Sequence, residues 1–92
     1  MNNAVNHARN VRMIRAVLSD LGAKKMPVRR IDYGQEFWKL GGATVSFNGV
    51  DDPTRYGSAP CKGVYVVIPH KQSFFVPAHE VATIDLEIAK AV

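Results

Sequence analysis

Apolar residues near the start of the chain recur at the spacing of one face of an α-helix. Between residues 4 and 21, Val11, Ile14 and Leu18 fall within a single arc at about 100° per residue. Gly22 follows the last apolar position of the pattern and suits the end of a helix. The pattern predicts an amphipathic helix over residues 4–21.

Short β-rich segments separated by turn residues make up the middle of the chain. Asn48-Gly49 is its strongest short hairpin signal, and Gly41 with Gly42 is expected to break or bulge a strand. Residues 50–63 are rich in Gly, Pro and Asp and read as a loop of about a dozen residues. Strands are expected at Val28 to Tyr33, Phe37 to Leu40, Ala43 to Phe47, Val64 to Ile68 and Ser73 to Val76.

The C-terminal segment fits two patterns. Ile84 and Ile88 suit one face of a helix, whereas their alternation with Asp85 and Glu87 around Leu86 suits a strand. Because Leu86 lies off the helical face, we expect a strand at residues 83–88, preceded by a short turn at residues 77–81.

One apolar helical stripe beside several short β segments predicts an α+β fold. We expect one N-terminal amphipathic helix packed on an antiparallel sheet of four to six short strands. A chain of 92 residues has apolar material for a single core, so residues 1–92 are expected to form one domain.

The basic residues concentrate in the first third of the chain. Residues 1–30 hold seven Lys and Arg against one acid, Asp20, while the remainder holds five against seven. Such a local excess indicates a positive surface for phosphate or for a carboxylate-rich protein, although a solvated, solubilising face is the alternative.

The helical wheel places Arg9, Arg12 and Arg15 nearly opposite the apolar arc. We therefore expect these arginines to project together into solvent, so that their replacement by glutamate leaves folding intact. Arg55 and Tyr56 combine cationic and aromatic groups in the loop, a pairing enriched at binding hot spots. The candidate partner-binding residues are Arg9, Arg12, Arg15, Lys24, Lys25, Arg29, Arg30, Arg55, Tyr56 and Lys62.

The sequence lacks the residue patterns that enzyme chemistry needs. Cys61, His70 and His79 have no tight zinc-site spacing, and Thr83 stands where His79-Glu80 would need a second histidine. The glycines form neither common phosphate-binding motif. We therefore predict no enzymatic activity, no cofactor, no metal and no small-molecule substrate.

Lys62 to Val67 matches poorly the basic-Gly-aromatic strand of RNA-recognition motifs, because Val64 and Val66 replace the stacking aromatics. Core packing explains this segment better. The strand aromatics are assigned chiefly to the core by the same reasoning. Trp38 is the exception to follow, because Phe37 and Trp38 point to opposite faces of any strand.

A single cysteine cannot form an internal disulfide, which favours a reducing compartment, most simply the cytoplasm. Ser19 is the only serine among the first 30 residues, so a mitochondrial presequence is not expected, and no apolar run resembles a secretory signal. No run of 18 apolar residues predicts a membrane span.

A short chain with one cysteine, no catalytic constellation and an open cationic face resembles the small phage-encoded anti-CRISPR proteins that act on type I surveillance complexes. The resemblance covers the whole chain in size and character and includes no diagnostic motif. Many members of that group mimic DNA with an acidic surface, whereas this chain carries a net charge of +4. The resemblance implies a non-enzymatic inhibitor in the host bacterial cytoplasm. Its basic side chains would dock on protein subunits or crRNA backbone of a crRNA-guided complex and block target DNA binding.

A second hypothesis is a small basic DNA- or RNA-binding module of phage or plasmid origin. A free nucleic-acid binder should hold oligonucleotides alone, with affinity that falls steeply with salt. An inhibitor should prefer the protein–RNA complex. A small enzyme or a structural subunit is disfavoured.

Overall fold

The computed structural model describes residues 3–28, 34–50 and 59–92. Within the described residues, a long helix is followed by five strands, a 3-10 helix and a short α-helix. In order, the elements are α1 (Asn3–Asp20), β1 (Lys24–Lys25), β2 (Gln35–Leu40), β3 (Ala43–Asn48), β4 (Gly63–Val67), β5 (Phe74–Pro77), the 3-10 helix (Ala78–Thr83) and α2 (Ile84–Ala91).

The five strands form one sheet in sequence order, and every neighbouring pair is antiparallel. This meander, with α1 at its N-terminus, confirms the predicted α+β class and the predicted range of strand number. The helices share one buried apolar cluster with one face of the sheet. We call that side the inner face and the opposite side the outer face.

The end of α1 is set by Gly22, as the sequence predicts. Gly22 adopts a positive φ of 81°, and its N–H donates to the Ser19 carbonyl at 3.0 Å. The N–H of Ala23 donates to the Leu18 carbonyl at 2.9 Å. These two bonds form a Schellman motif, which satisfies carbonyls that the last helical turn leaves open.

The hairpin signals are used differently from the prediction. Gly41 and Gly42 form the two-residue turn between β2 and β3, with Leu40 paired to Ala43 and Gly41 at a φ of 60°. Asn48 ends β3, and the next strand begins only at Gly63. Asn48 Oδ1 instead accepts the Val50 N–H at 3.2 Å, so Asn48-Gly49 opens a loop and the hairpin prediction there is wrong.

The core lies between α1, the C-terminal helical segment and the inner face. Strand alternation sends every second residue inward, because successive side chains point to opposite faces. The fully buried residues Ile14 and Leu18 of α1 belong to the same apolar cluster as inner-face valines from β3 and β4. The buried apolar set is Val11, Ile14, Leu18, Trp38, Ala43, Val45, Phe47, Cys61, Val64, Val66, Ile68, Val76, Val81, Ile84 and Ile88.

The predicted C-terminal strand is wrong, because residues 84–91 form α2. Ile84 and Ile88, four residues apart, are both buried, while Leu86 is 56% exposed. Val81 of the preceding 3-10 helix is also buried. A helix therefore buries two apolar residues of the segment and leaves one leucine in solvent, which globular surfaces tolerate.

Two other expectations concern a strand at residues 28–33 and the absence of a membrane span. The strand expected at Val28 to Tyr33 is not formed at Val28, which is exposed and outside any strand, while residues 29–33 lie outside the described residues. No helix among the described residues is long and apolar enough to cross a bilayer.

Candidate functional site

The outer face of the sheet carries exposed aromatic residues. Phe37, Ser46, Tyr65 and Phe75 are successive cross-strand partners on β2, β3, β4 and β5, so they form one row across the sheet. Tyr65 is 58% and Phe75 44% exposed, and their ring centroids lie 5.1 Å apart at an interplanar angle of 58°. Phe37 is half-buried at the other end of the row. The row offers two adjacent aromatic rings to solvent.

Lysines occupy the neighbouring row of the outer face. Lys24 of β1 pairs with Lys39 of β2, which pairs with Thr44 of β3, which pairs with Val67 of β4. Lys39 Nζ donates to Thr44 Oγ1 at 2.9 Å. Both lysines are exposed. The outer face is therefore cationic toward β1 and aromatic toward β5.

No outward-facing residue of the five strands is acidic. Among the described residues, the carboxylates are on Asp20 at the end of α1, on Glu36 of the inner face, and on three residues of the C-terminal helical segment. Glu80, Asp85 and Glu87 account for those three. Lysines therefore lie on the outer face, whereas three of the five described acidic side chains lie on the C-terminal helical segment.

A groove lies between α1, the segment before β4 and the 3-10 helix. Its volume is about 520 Å³, and Arg9, Lys62 and His79 line it together with Met13 and Pro60. The Lys62 carbonyl accepts the Ala78 N–H at 2.9 Å. Two of the residues predicted from the sequence, Arg9 and Lys62, therefore meet at one place.

Arg15 departs from the prediction that three helix arginines project together into solvent. Its Nε donates to Glu36 Oε2 at 2.9 Å, and its Nη2 donates to the same oxygen. Glu36 is only 5% exposed on the inner face and also accepts from Trp38 Nε1 at 3.2 Å. Arg15 therefore neutralises a buried carboxylate. The expectation that it projects into solvent is wrong, which removes the reason to expect intact folding after its replacement by glutamate.

The other predicted residues are dispersed. Arg12 is exposed on α1 beside a separate depression lined by Gly49 and Val50. Lys24 lies on the outer face, whereas Lys25 pairs with Trp38 in register and its Nζ lies 3.9 Å from Glu36 Oε1. The remaining predicted residues lie outside the described part of the chain: Arg29, Arg30, Arg55 and Tyr56.

Of the three residues considered for metal or nucleophilic chemistry, Cys61 and His79 line the same groove, whereas His70 is not among its lining residues. No group of three or more His, Cys, Asp or Glu side chains in the described segments has the geometry to hold a metal ion. Cys61 is buried, and desolvation, with a smaller contribution from the charge of Glu36, raises the pKa of its thiol. A protonated thiol is a poor nucleophile and a poor metal ligand.

Sequence reasoning assigned Phe75 to the core, and the structure corrects this. It also did not place Tyr65 and Phe75 together on a solvent face. The available signal was the alternation around Val64 and Val66, which points Tyr65 away from the core residues on either side. Trp38, expected to be the residue to watch, is buried.

The chain matches no protein-family model, no curated protein and no solved structure.

Proposed function

We propose that this protein binds single-stranded nucleic acid on the outer face of its sheet. The observation that carries the proposal is the exposed Tyr65–Phe75 pair on a face that holds lysines and no outward-pointing acid on its strands. Unpaired bases stack on exposed aromatic rings, and lysines neutralise the phosphates between them.

The arrangement favours a single strand over a duplex. Stacking on Tyr65 and Phe75 requires bases whose faces are accessible, and a duplex hides these faces between neighbouring base pairs. Lys24 and Lys39 lie on the row next to the rings. When the bases of a nucleic-acid strand stack on the rings, its phosphates can therefore contact the lysine ammonium groups. Stacking and phosphate contacts of this kind depend little on the identity of the bases. We therefore propose binding with weak sequence preference.

The inhibitor implied by the resemblance to anti-CRISPR proteins is the second candidate. Val67, 47% exposed on the same face, extends the apolar surface of the aromatic pair. Apolar and aromatic centres of this kind also occur in protein interfaces. The lysines and the absence of outward strand acids favour nucleic acid as the partner. The two candidates differ in whether free oligonucleotides bind.

Fluorescence anisotropy with labelled oligothymidylate and oligouridylate of about ten nucleotides, and with a duplex, tests the proposal. We expect binding of the single strands, with log Kd rising linearly with log salt concentration. The variant Tyr65→Thr/Phe75→Thr keeps residues that favour β-strands, and it should bind at least about thirtyfold more weakly, since stacking contributes about 1–3 kcal/mol per base.

Leu86→Gln is the matched control, because Leu86 has nearly the exposure of Tyr65 but lies on α2. Its affinity should equal that of the wild type. Emission from the only tryptophan, Trp38, monitors folding of every variant because that side chain is buried on the inner face. Absence of oligonucleotide binding at low salt, or unchanged binding by a folded double variant, would overturn the proposal. Binding to a crRNA-guided complex alone would favour the inhibitor.

A further inference from the structure

The groove beside α1 and a depression on the outer face share three lining residues, Pro60, Cys61 and Lys62. Lys62 lines the groove with Arg9, and it also lines a depression on the outer face that includes Ser46, Tyr65 and Phe75. Lys62 stands immediately before β4, where the chain passes from the groove to the sheet. The two surfaces are therefore continuous around this lysine.

The groove is positively charged. Arg9 and Lys62 are both exposed, and no carboxylate in the described part of the chain lies within ion-pairing distance of either one. Arg9 Nη2 donates to Asn6 Oδ1, which orients the guanidinium within the groove. His79 also lines the groove, with its Nε2 3.7 Å from Glu80 Oε1. Glu80 is not among the lining residues.

Two hydrogen bonds to backbone carbonyls hold the two cationic positions in place. Asn10, one residue beyond Arg9, donates from Nδ2 to the Cys61 carbonyl at 2.9 Å. The Lys62 carbonyl accepts the Ala78 N–H at 2.9 Å. These contacts tie α1, the segment before β4 and the 3-10 helix together, so the spacing between Arg9 and Lys62 is set by the fold.

We propose that a strand bound on the outer face continues past Lys62 into this groove, where Arg9 and Lys62 contact its backbone phosphates. This inference rests on the proposed function and extends its site. A single strand is flexible at each phosphodiester, so it can bend and follow the surface around Lys62. Met13, Pro60 and Ala78 supply an apolar lining against which a sugar or base can pack. The groove therefore adds binding for a longer strand.

The dependence of affinity on strand length tests the path. Oligothymidylates of about four and about ten nucleotides are compared, since sites of this kind span about 4–16 nucleotides. Arg9→Gln should weaken binding of the longer strand about fivefold and lower its salt slope by about 0.7, the value for one phosphate of a single strand. Its affinity for the shorter strand should equal that of the wild type.

Lys90→Gln is the control, because Lys90 is exposed on α2 and the substitution removes the same charge. It should leave both affinities unchanged. Lys62→Gln should weaken binding of both strands, since Lys62 borders both surfaces. An effect of Arg9→Gln that is absent, or equal for both lengths, would overturn the path while leaving the outer-face proposal intact. If neither oligonucleotide binds the wild type, the proposed function itself fails.

Discussion

The imidazole of His7 accepts a hydrogen bond from the backbone N–H of Cys61, with 2.8 Å between Nδ1 and the nitrogen. Because Nδ1 is the acceptor, the neutral ring carries its proton on Nε2, which donates to the Val50 carbonyl. His7 is 1% exposed. One side chain of α1 thus holds the chain on both sides of residues 51–58.

Loss of this imidazole should destabilise the protein. His7→Phe keeps an aromatic ring but removes both hydrogen bonds, leaving the Cys61 N–H and the Val50 carbonyl without their partner. The expected decrease in the free energy of unfolding is about 2 kcal/mol or more, because each buried unsatisfied polar group costs about 1–3 kcal/mol. Urea denaturation with an unchanged m-value measures it.

His79→Phe is the control for this substitution, because His79 is exposed. Its free energy of unfolding should stay within about 0.5 kcal/mol of that of the wild type. An equally small change in His7→Phe would show that the two hydrogen bonds contribute little to stability.

The fold was predictable from the sequence wherever one apolar pattern had one solution. Val11, Ile14 and Leu18 share a face only in a helix, and Gly22 supplies the positive φ that ends it. The C-terminal segment was not predictable in this way, because Ile84 and Ile88 satisfy both a helix and a strand. Packing decides between them: a helix buries both isoleucines beside Val81.

The candidate site was less accessible from the sequence. Val64 to Ile68 was correctly predicted as a strand. An apolar run does not indicate, however, whether other elements cover one face of the strand or both. Among the described residues, helices pack on the inner face only, and Tyr65 is exposed to solvent. The inward position of Glu36 was equally hidden, because its partner Arg15 lies 21 residues away along the chain.

The Arg15–Glu36 pair should contribute to stability as a coupled unit. Arg15→Gln removes the charge that faces a buried carboxylate, while the Arg15 side chain itself is 42% exposed. We expect a loss of about 1–2 kcal/mol, below the value for a fully buried pair because solvent screens part of the interaction. Urea denaturation of Arg15→Gln, Glu36→Gln and the double variant gives the coupling energy, expected at about 1 kcal/mol.

Additive effects in this double-mutant cycle would contradict the coupling. Arg12→Gln on the same helix is the control, since no ion pair of Arg12 occurs within the described residues. Its stability should match that of the wild type within about 0.5 kcal/mol.

Gly63 should not tolerate a side chain. A Cβ at this position would lie 2.2 Å from the Val76 carbonyl oxygen and 2.9 Å from the Pro77 Cα, both in the backbone of the neighbouring strand. Gly63→Ala therefore requires β4 and β5 to separate, at a cost of about 1–3 kcal/mol. Thermal unfolding followed by circular dichroism measures the loss.

Gly42→Ala provides the comparison, because a Cβ there meets no atom within 4 Å and Gly42 is not at a positive φ. Alanine should be neutral or stabilise by up to about 1 kcal/mol through the unfolded chain. Equal melting temperatures for the two variants would refute the close approach at Gly63.

The Cys61 thiol should react slowly in the native protein. Burial raises its pKa above the ordinary value of 9.0, so the reactive thiolate is scarce at neutral pH. The thiol also donates to the Gly63 carbonyl at 3.5 Å. Ellman's reagent at pH 8 should label the native protein much more slowly than the urea-unfolded chain, and equal rates would show that the thiol is accessible.

The raised pKa of Cys61 also makes stability depend on alkaline pH. The folded state keeps the thiol proton at pH values where the unfolded chain has lost it, so unfolding releases a proton above the ordinary thiol pKa. The stabilisation is fully present below that pKa and is lost as pH rises through the folded pKa. The free energy of unfolding of the wild type should therefore fall more steeply from about pH 8.5 to pH 10 than that of Cys61→Ala. The difference in slope between the wild type and Cys61→Ala isolates the thiol, and parallel pH profiles would show that it contributes nothing.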